Sequence, residues 1–301
     1  MGRSDRHTGI WQQKLPTSAT ACGTINTVVA RASVFPWMPM TRKPWSRDEI
    51  LVAFNVYCRT PFGRLHARNP EIVELATRLD RTPAALAMKC CNLAGLDPAQ
   101  RERGIVGLAK ASRFDREIWD EFQQRPEEIG FESEQVLAGL TDRPPRAATT
   151  VVWEDAEGLD RETLTRVRVN QHLFRAMILA GYGGACAVCR LPVPGLLVAS
   201  HIVPWSADRS LRMNPHNGLC LCSLHDRAFD CGILAIARDY SVAIHPRASS
   251  LAANEAAARF LFAFSGTAIQ QPERWPPDPL LLERHAEIAD ARVTSALGEM
   301  R

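Results

Sequence analysis

Apolar residues recur at helical spacing in the first half of the chain, and each recurrence opens with a helix-start signal. The first opens with a Ser-x-x-Glu capping box at Ser46. The next two open at Asn69-Pro70 and Thr82-Pro83, where a residue suited to the helix N-cap precedes a proline suited to the first helical position. These signals predict three helices, over 47–59, 70–79 and 83–95. Two further helices are expected at 114–123 and 132–140.

The second and third predicted helices are joined tightly, as in a helix-turn-helix unit, which favours DNA docking as one interpretation. The third helix is rich in alanine, however, and its one basic side chain is Lys89. Plain three-helix packing and a partner-binding module therefore remain alternatives for this helical domain, which we place at 45–140. A proline-containing linker is expected over 141–150.

The pattern changes after the linker. A long amphipathic helix is predicted over 161–181. It is followed by a short strand at 196–199, and residues 223–229 are predicted to form the first turns of a further helix. The dipeptide Asn217-Gly218 between the last two elements is typical of a turn. A hairpin is expected from 233–237 and 241–245, and a helical extension over 246–301. Residues 1–40 lack periodicity, so we expect a disordered tail or an upstream-extended start there.

Polar residues that could act in catalysis or bind a metal are concentrated around this strand, turn and helix. His201 follows the predicted strand in the run Ala-Ser-His-Ile-Val-Pro-Trp. Asn217 and His225 lie in the run Asn-Pro-His-Asn-Gly-Leu-Cys-Leu-Cys-Ser-Leu-His-Asp-Arg-Ala-Phe-Asp. The order His, Asn, His in this context resembles the HNH endonuclease family. It is most similar to the predicted restriction endonuclease branch, with the pattern HI-x-P-W, N-x-x-NGL-x-L-x-x-LHD-x-AFD-x-G. The likeness covers 160–245 and includes four residues of the long helix: Arg168, Gln171, Phe174 and Arg175.

The resemblance implies an α+β fold in which a ββα-metal, treble-clef-like nuclease domain follows the helix-turn-helix-like domain. It also implies hydrolysis of DNA phosphodiester bonds with Mg²⁺ or another divalent cation. His201 would deprotonate the attacking water, since a histidine pKa near neutrality suits a general base. Asn217 would fix the orientation of the His201 ring. The implied products carry 5′-phosphate and 3′-hydroxyl ends, and restriction of foreign DNA is the role expected from the branch.

The metal ligands are less clear from the sequence. The family often has Asp or His before the base, whereas this chain has Ser200, a weak ligand. Aligned with relatives that end in Cys-x-x-Cys-His, this chain would give His225 to a structural Zn²⁺ and Asp226 to the catalytic ion, with Asp230 one turn further along.

The rest of the zinc set would be three sulfur ligands, Cys186, Cys189 and Cys222. Cys220 could replace Cys222 as the third ligand, although core packing is the role we expect for it. In the alternative, Cys186 and Cys189 are buried apolar residues and His225 is itself catalytic.

Composition fits this assignment. The chain has 301 residues, 46% of them hydrophobic and 23% charged, as expected of about two globular domains. No apolar run approaches the roughly eighteen residues of a membrane span. Nine cysteines, an odd count, and no convincing secretory signal favour a reducing cytoplasm.

A net charge of +3 is only mildly basic, so DNA binding must rest on local charge. Arg168, Gln171 and Arg175 are the candidate contacts to double-stranded DNA, although arginine usage can also reflect a GC-rich bacterial genome. A homodimer is the expected assembly. Two other classes stay open. One is a noncatalytic, zinc-stabilised nucleic-acid-binding or regulatory protein in which Ser200 marks a dead site. The other is an interaction protein recruited through 45–140.

Overall fold

The computed structural model describes residues 43–105, 111–148 and 161–298. Residues from Pro44 onward belong to one compact unit. The predicted tail at 1–40 lies outside the described residues, as do residues 149 and 150 of the predicted linker. The division into a 45–140 domain, a linker, a 160–245 domain and a 246–301 extension therefore stays a prediction.

The first half of the described chain is helical. Its six helices are α1 (Arg47–Arg59), α2 (Pro70–Arg78), α3 (Pro83–Ala94), α4 (Pro98–Glu102), α5 (Arg113–Gln124) and α6 (Pro126–Thr141). The capping box at the start of α1 forms both of its bonds: Glu49 N–H donates to Ser46 Oγ (3.2 Å), and Ser46 N–H donates to Glu49 Oε2 (2.9 Å). The predicted helices are confirmed. The short helix α4 was not predicted, and α6 begins earlier than expected.

Helix α1 lies at the centre of this half, buried from Glu49 to Cys58 and in contact with α3, α5, α6 and α7. Lys89 on α3 is also buried, and its Nζ donates to both carboxylate oxygens of Asp115 (2.9 and 3.1 Å). Lys89, the one basic side chain of this helix, is therefore not free to contact DNA. Its charge is used inside the helical packing, which leaves α3 with no basic side chain to offer DNA.

The second half contains the predicted strand, turn and helix. Helix α7 (Arg161–Gly181) leads to strand β1 (Leu197–His201), which pairs antiparallel with β2 (Gly218–Cys222), and α8 (Ser223–Asp230) follows. In this register His201 lies opposite Gly218. Strands β3 (Leu234–Ile236) and β4 (Val242–Ile244) form the predicted hairpin. The ββα arrangement is thus present in the structure.

The last part of the chain, with helices α9 (Glu255–Phe260) and α10 (Pro279–Leu297), connects the two halves. Arg274 is buried, and its guanidinium donates to the carbonyl oxygens at the carboxyl end of α1, including Thr60 (2.9 Å). Cations are stabilising at that end of a helix. Next to it, Glu273 N–H donates to Gly181 O at the end of α7 (2.7 Å). None of the helices in the described ranges is long and apolar enough to cross a membrane.

Candidate active site and metal centre

His201 is held on three sides at the end of β1. The Phe174 ring of α7 stacks on the imidazole, with centroids 4.1 Å apart and planes 9° apart. The Trp205 ring meets it edge-on at 5.4 Å. The third contact joins His201 Nε2 to the carbonyl oxygen of Arg212 at 3.1 Å. A carbonyl oxygen only accepts, so this contact assigns the hydrogen to Nε2 and leaves the lone pair on Nδ1.

The protonation state of His201 follows from its surroundings. Burial lowers the pKa of the imidazole to about 4, because the charged form loses hydration, and the bond to the Arg212 carbonyl opposes this only in part. The ring is therefore neutral at pH 7. A neutral imidazole with an available nitrogen lone pair is the form that a general base requires.

Asn217 fixes the loop that carries the third contact. Its Oδ1 accepts from Val203 N–H (2.8 Å), and its Nδ2 donates to Val203 O (3.1 Å) and Leu211 O (3.3 Å). The side chain is fully buried. Leu211 directly precedes Arg212, the residue whose carbonyl receives His201 Nε2. Asn217 thus acts on the backbone around the base, and its side-chain hydrogen bonds all go to that loop.

Four side chains converge at the other end of the sheet. The ligand atoms of Cys186, Cys189, Cys222 and His225 all lie within 4.8 Å of one another. His225 Nδ1 is 3.1 Å from Cys222 Sγ and 3.6 Å from Cys186 Sγ, and the sulfurs of Cys189 and Cys222 are 3.9 Å apart. A tetrahedral zinc with Zn–S of about 2.3 Å and Zn–N of about 2.0 Å would separate its ligands by roughly 3.5 to 3.8 Å. The four residues fit that ion.

His225 is oriented by a carbonyl behind it. Its Nε2 lies 3.0 Å from the oxygen of Phe260, which assigns the hydrogen to Nε2 and turns Nδ1 toward the sulfurs. A ligand histidine bound in this way to a backbone carbonyl is usual at metal sites. Both ring nitrogens are engaged, and neither is directed at His201. The structure therefore does not bring His225 together with the predicted base. Cys220, the substitute ligand, is buried outside the cluster.

The carboxyl groups of α8 lie one turn apart. Burial raises the pKa of Asp226, and the neighbouring Asp230 raises it further. The nearby Ser200 hydroxyl lowers the pKa of Asp226. The hydroxyl and the Asp226 carboxylate do not have the geometry of a hydrogen bond, however. Ser200 Oγ is therefore buried without a partner among the described residues. Neither carboxylate forms an ion pair within the described ranges. From the sequence, only Asp226 was assigned to the catalytic cation. The four-residue spacing from Asp226 to Asp230 was the signal that both carboxylates share one face of the helix.

Residues 186–237 match the model of the HNH endonuclease family. The match confirms the resemblance over this HNH domain, which spans the cysteine–histidine cluster, His201, Asn217 and both carboxylates of α8. An HNH domain implies nuclease activity and a nucleic-acid substrate. A comparison of the whole chain with curated proteins gives no match.

The predicted nucleic-acid contacts lie on α7, beside the HNH domain. Arg168, Gln171 and Arg175 are spaced by three and four residues and so share one helix face. Arg168 is exposed, and Arg175 is half-buried, with its Nη2 donating to Pro194 O (3.2 Å). Among the described residues, no arginine between 161 and 230 is ion-paired with a carboxylate, whereas most of those between 47 and 146 are. Within the described ranges, the positive charge of Arg168 is therefore not neutralised by a carboxylate.

Proposed function

We propose that this protein is a divalent-metal-dependent endonuclease that hydrolyses double-stranded DNA, with restriction of foreign DNA as its role. The observation that carries the proposal is the state of His201. It is neutral, its Nε2 is bound to a carbonyl and its Nδ1 holds the lone pair, inside a segment that matches the HNH family. A structural role alone does not require a partly buried histidine with this arrangement.

In the proposed reaction, Nδ1 of His201 takes a proton from a water molecule as the water oxygen attacks phosphorus. The bond between phosphorus and the 3′ oxygen breaks, and the released 3′ oxygen takes up a proton from solvent water. The products carry a 5′-phosphate and a 3′-hydroxyl, and His201 returns its proton to solvent. Asn217 keeps the Arg212 carbonyl in place, so that the lone pair of the base keeps its direction. This positioning is needed because a base acts only within hydrogen-bond reach of the proton it removes.

Asp226 is the residue we assign to the catalytic cation, with Asp230 beside it. Two partly buried carboxylates, neither of which is ion-paired among the residues that the structure describes, are oxygen donors of the kind that Mg²⁺ binds. When bound, such a cation would supply positive charge that stabilises the transition state of phosphodiester hydrolysis. Ser200 adds no charge to this set, which makes the carboxylates of α8 the essential contribution of the chain.

We assign the cysteine–histidine cluster to a structural zinc rather than to the catalytic ion. The ligand spacing fits a tetrahedral ion, and the Phe260 carbonyl supports the required tautomer of His225. Zinc at this point would join the turn at Cys186 and Cys189 to the first turn of α8. Asp226 directly follows His225, so the same ion would also fix the start of the helix that carries the catalytic carboxylates.

The substrate contacts are assigned to the exposed face of α7. Phosphates would be bound by Arg168, Gln171 and Arg175. These residues lie close along the helix to Phe174, which contacts the general base His201. Phosphate contacts by arginine orient a nucleic acid without reading its sequence. This arrangement therefore predicts binding that is sensitive to salt.

The proposal is tested by incubating the full-length protein with supercoiled plasmid in Mg²⁺, Mn²⁺ or EDTA. We expect nicked or linear product with either cation, none in EDTA, and ends that a DNA ligase can reseal. Asp226→Asn should lose the activity, while the hairpin-tip variant Asp239→Asn should keep it. A protein that binds DNA but produces no cleavage with any divalent cation would instead be the noncatalytic alternative that Ser200 suggests.

A further inference from the structure

One aromatic side chain outside the matched HNH segment is in direct contact with the base. Phe174 lies on α7, and its ring covers one face of the His201 imidazole at 4.1 Å with the two planes nearly parallel. Trp205 touches the imidazole edge-on, so it limits the ring from a different direction. The hydrogen bond to Arg212 O is the one polar contact of the imidazole among the described residues.

Gly218 makes this stacking possible. It lies opposite His201 in the strand pair, and a Cβ at that position would be 3.0 Å from Phe174 Cζ and would overlap Ile178 Cδ1. Such an overlap requires the neighbours to move. The absence of a side chain at Gly218 therefore allows α7 to approach β2 closely enough for Phe174 to reach His201 with its ring flat.

A single hydrogen bond does not fix the plane of an imidazole. A ring held only through Nε2 can tilt about that bond and swing its Nδ1 lone pair away from the attacking water. Contact with a flat aromatic face restricts this freedom, because at a centroid distance of 4.1 Å a tilt of the imidazole would bring its edge too close to the Phe174 ring. Active-site groups perform best when packing locks their rotamers.

We propose that Phe174 is a positioning residue for the general base: it fixes the plane of His201 and so aims Nδ1 at the water. This inference rests on the proposed nuclease function. It differs from the role of Asn217, which fixes the backbone around the imidazole and not the plane of the ring. Phe174 acts through His201 and makes no contact with the substrate in this account.

The matched pair of variants is Phe174→Leu and Ile178→Val. Both thin the same packing against Gly218, but only the first removes the flat face from His201. We expect Phe174→Leu to lower kcat by at least about tenfold in Mg²⁺ with an unchanged Kd for DNA, since misplacing a reacting group lowers the rate without removing binding contacts. Ile178→Val should keep the wild-type kcat. Equal kcat for wild type and Phe174→Leu would overturn the proposal.

A spectroscopic measurement on the intact protein does not depend on activity. In wild type, the ring current of Phe174 should shift the carbon-bound imidazole protons of His201 upfield, and the shift should disappear in Phe174→Leu. Imidazole protons without that shift in wild type overturn the proposal even if the variant fails to fold. If wild type cleaves no DNA, the proposed function fails, while the imidazole signals still decide whether the ring is fixed.

Discussion

Replacement of Asn217 by alanine should damage both the fold and the activity, because this one amide closes the loop around the base. The side chain is fully buried and makes three hydrogen bonds to backbone, two to Val203 and one to Leu211. Alanine would leave one N–H and two carbonyl oxygens without these partners. The Arg212 carbonyl that holds His201 lies in the freed part of the loop.

The size of the effect follows from these three bonds. A buried polar group left without a partner costs about 1 to 3 kcal/mol, and carbonyl groups can recover part of this by bonding water. We therefore expect Asn217→Ala to lower the free energy of unfolding by about 3 to 4 kcal/mol. In a protein of this size that corresponds to a fall in Tm of about 10 °C. A base displaced by about 1 Å would lower kcat by about a hundredfold.

The assay compares Asn217→Ala with Asn214→Ala, a change of the same kind in the same loop. Asn214 accepts a single local hydrogen bond from His216 N–H (3.0 Å), so its loss should cost about 1 kcal/mol. Thermal unfolding and plasmid cleavage at a temperature where both variants are folded give the two readouts. If the two variants have the same Tm and the same kcat, the proposal that Asn217 fixes the loop around His201 is refuted.

Three further outcomes are expected. Elemental analysis should find about one zinc per chain, and this zinc should be lost in Cys186→Ser but kept in Cys220→Ala. A folded protein that contains no zinc would refute the assignment of the cysteine–histidine cluster to a structural zinc. His285 is buried and burial lowers its pKa to about 4, below the ordinary value near 6.5, so its contribution to stability is lost as pH falls through this window. When the pH falls from 7 to 5, the free energy of unfolding of wild type should therefore decrease by about 2 kcal/mol more than that of His285→Phe, as measured by urea unfolding. An equal decrease in the two proteins would contradict this. Arg168→Ala should weaken DNA binding and reduce its salt slope by about 1, while the ion-paired Arg113→Ala should change neither; an unaltered slope in Arg168→Ala would exclude a phosphate contact.

Local signals in the sequence located most elements. The capping box at Ser46 and the prolines at the starts of α2 and α3 each marked a helix that the structure contains. The start of α6 was placed late, even though Pro126 at its first position and the acidic residues Glu127 and Glu128 are helix-start signals, because Arg125 before it supplies no side-chain cap. Helix α6 also packs on α1 and α7, and these distant contacts are not visible in the local sequence.

The site was predicted only as far as side-chain chemistry could indicate it. The cysteine and histidine spacing predicted the four residues that the structure brings together. The carbonyl groups that orient the two histidines, at Arg212 and Phe260, are backbone atoms that any residue supplies, so no residue type marked them. The ion pair of Lys89 depends on Asp115, which comes from another helix and could not be assigned from periodicity.

The assignment of His201 as the general base is tested by the initial rate of plasmid nicking in Mg²⁺ for wild type, His201→Ala and His245→Ala. His245 pairs with an exposed carboxylate of Asp290 away from the matched segment, so its replacement controls for the loss of an imidazole. We predict that His201→Ala nicks at least about a hundredfold more slowly than wild type with the same Kd for DNA, and that His245→Ala is unchanged. Nicking by His201→Ala at the wild-type rate would contradict the assignment of His201 as the base.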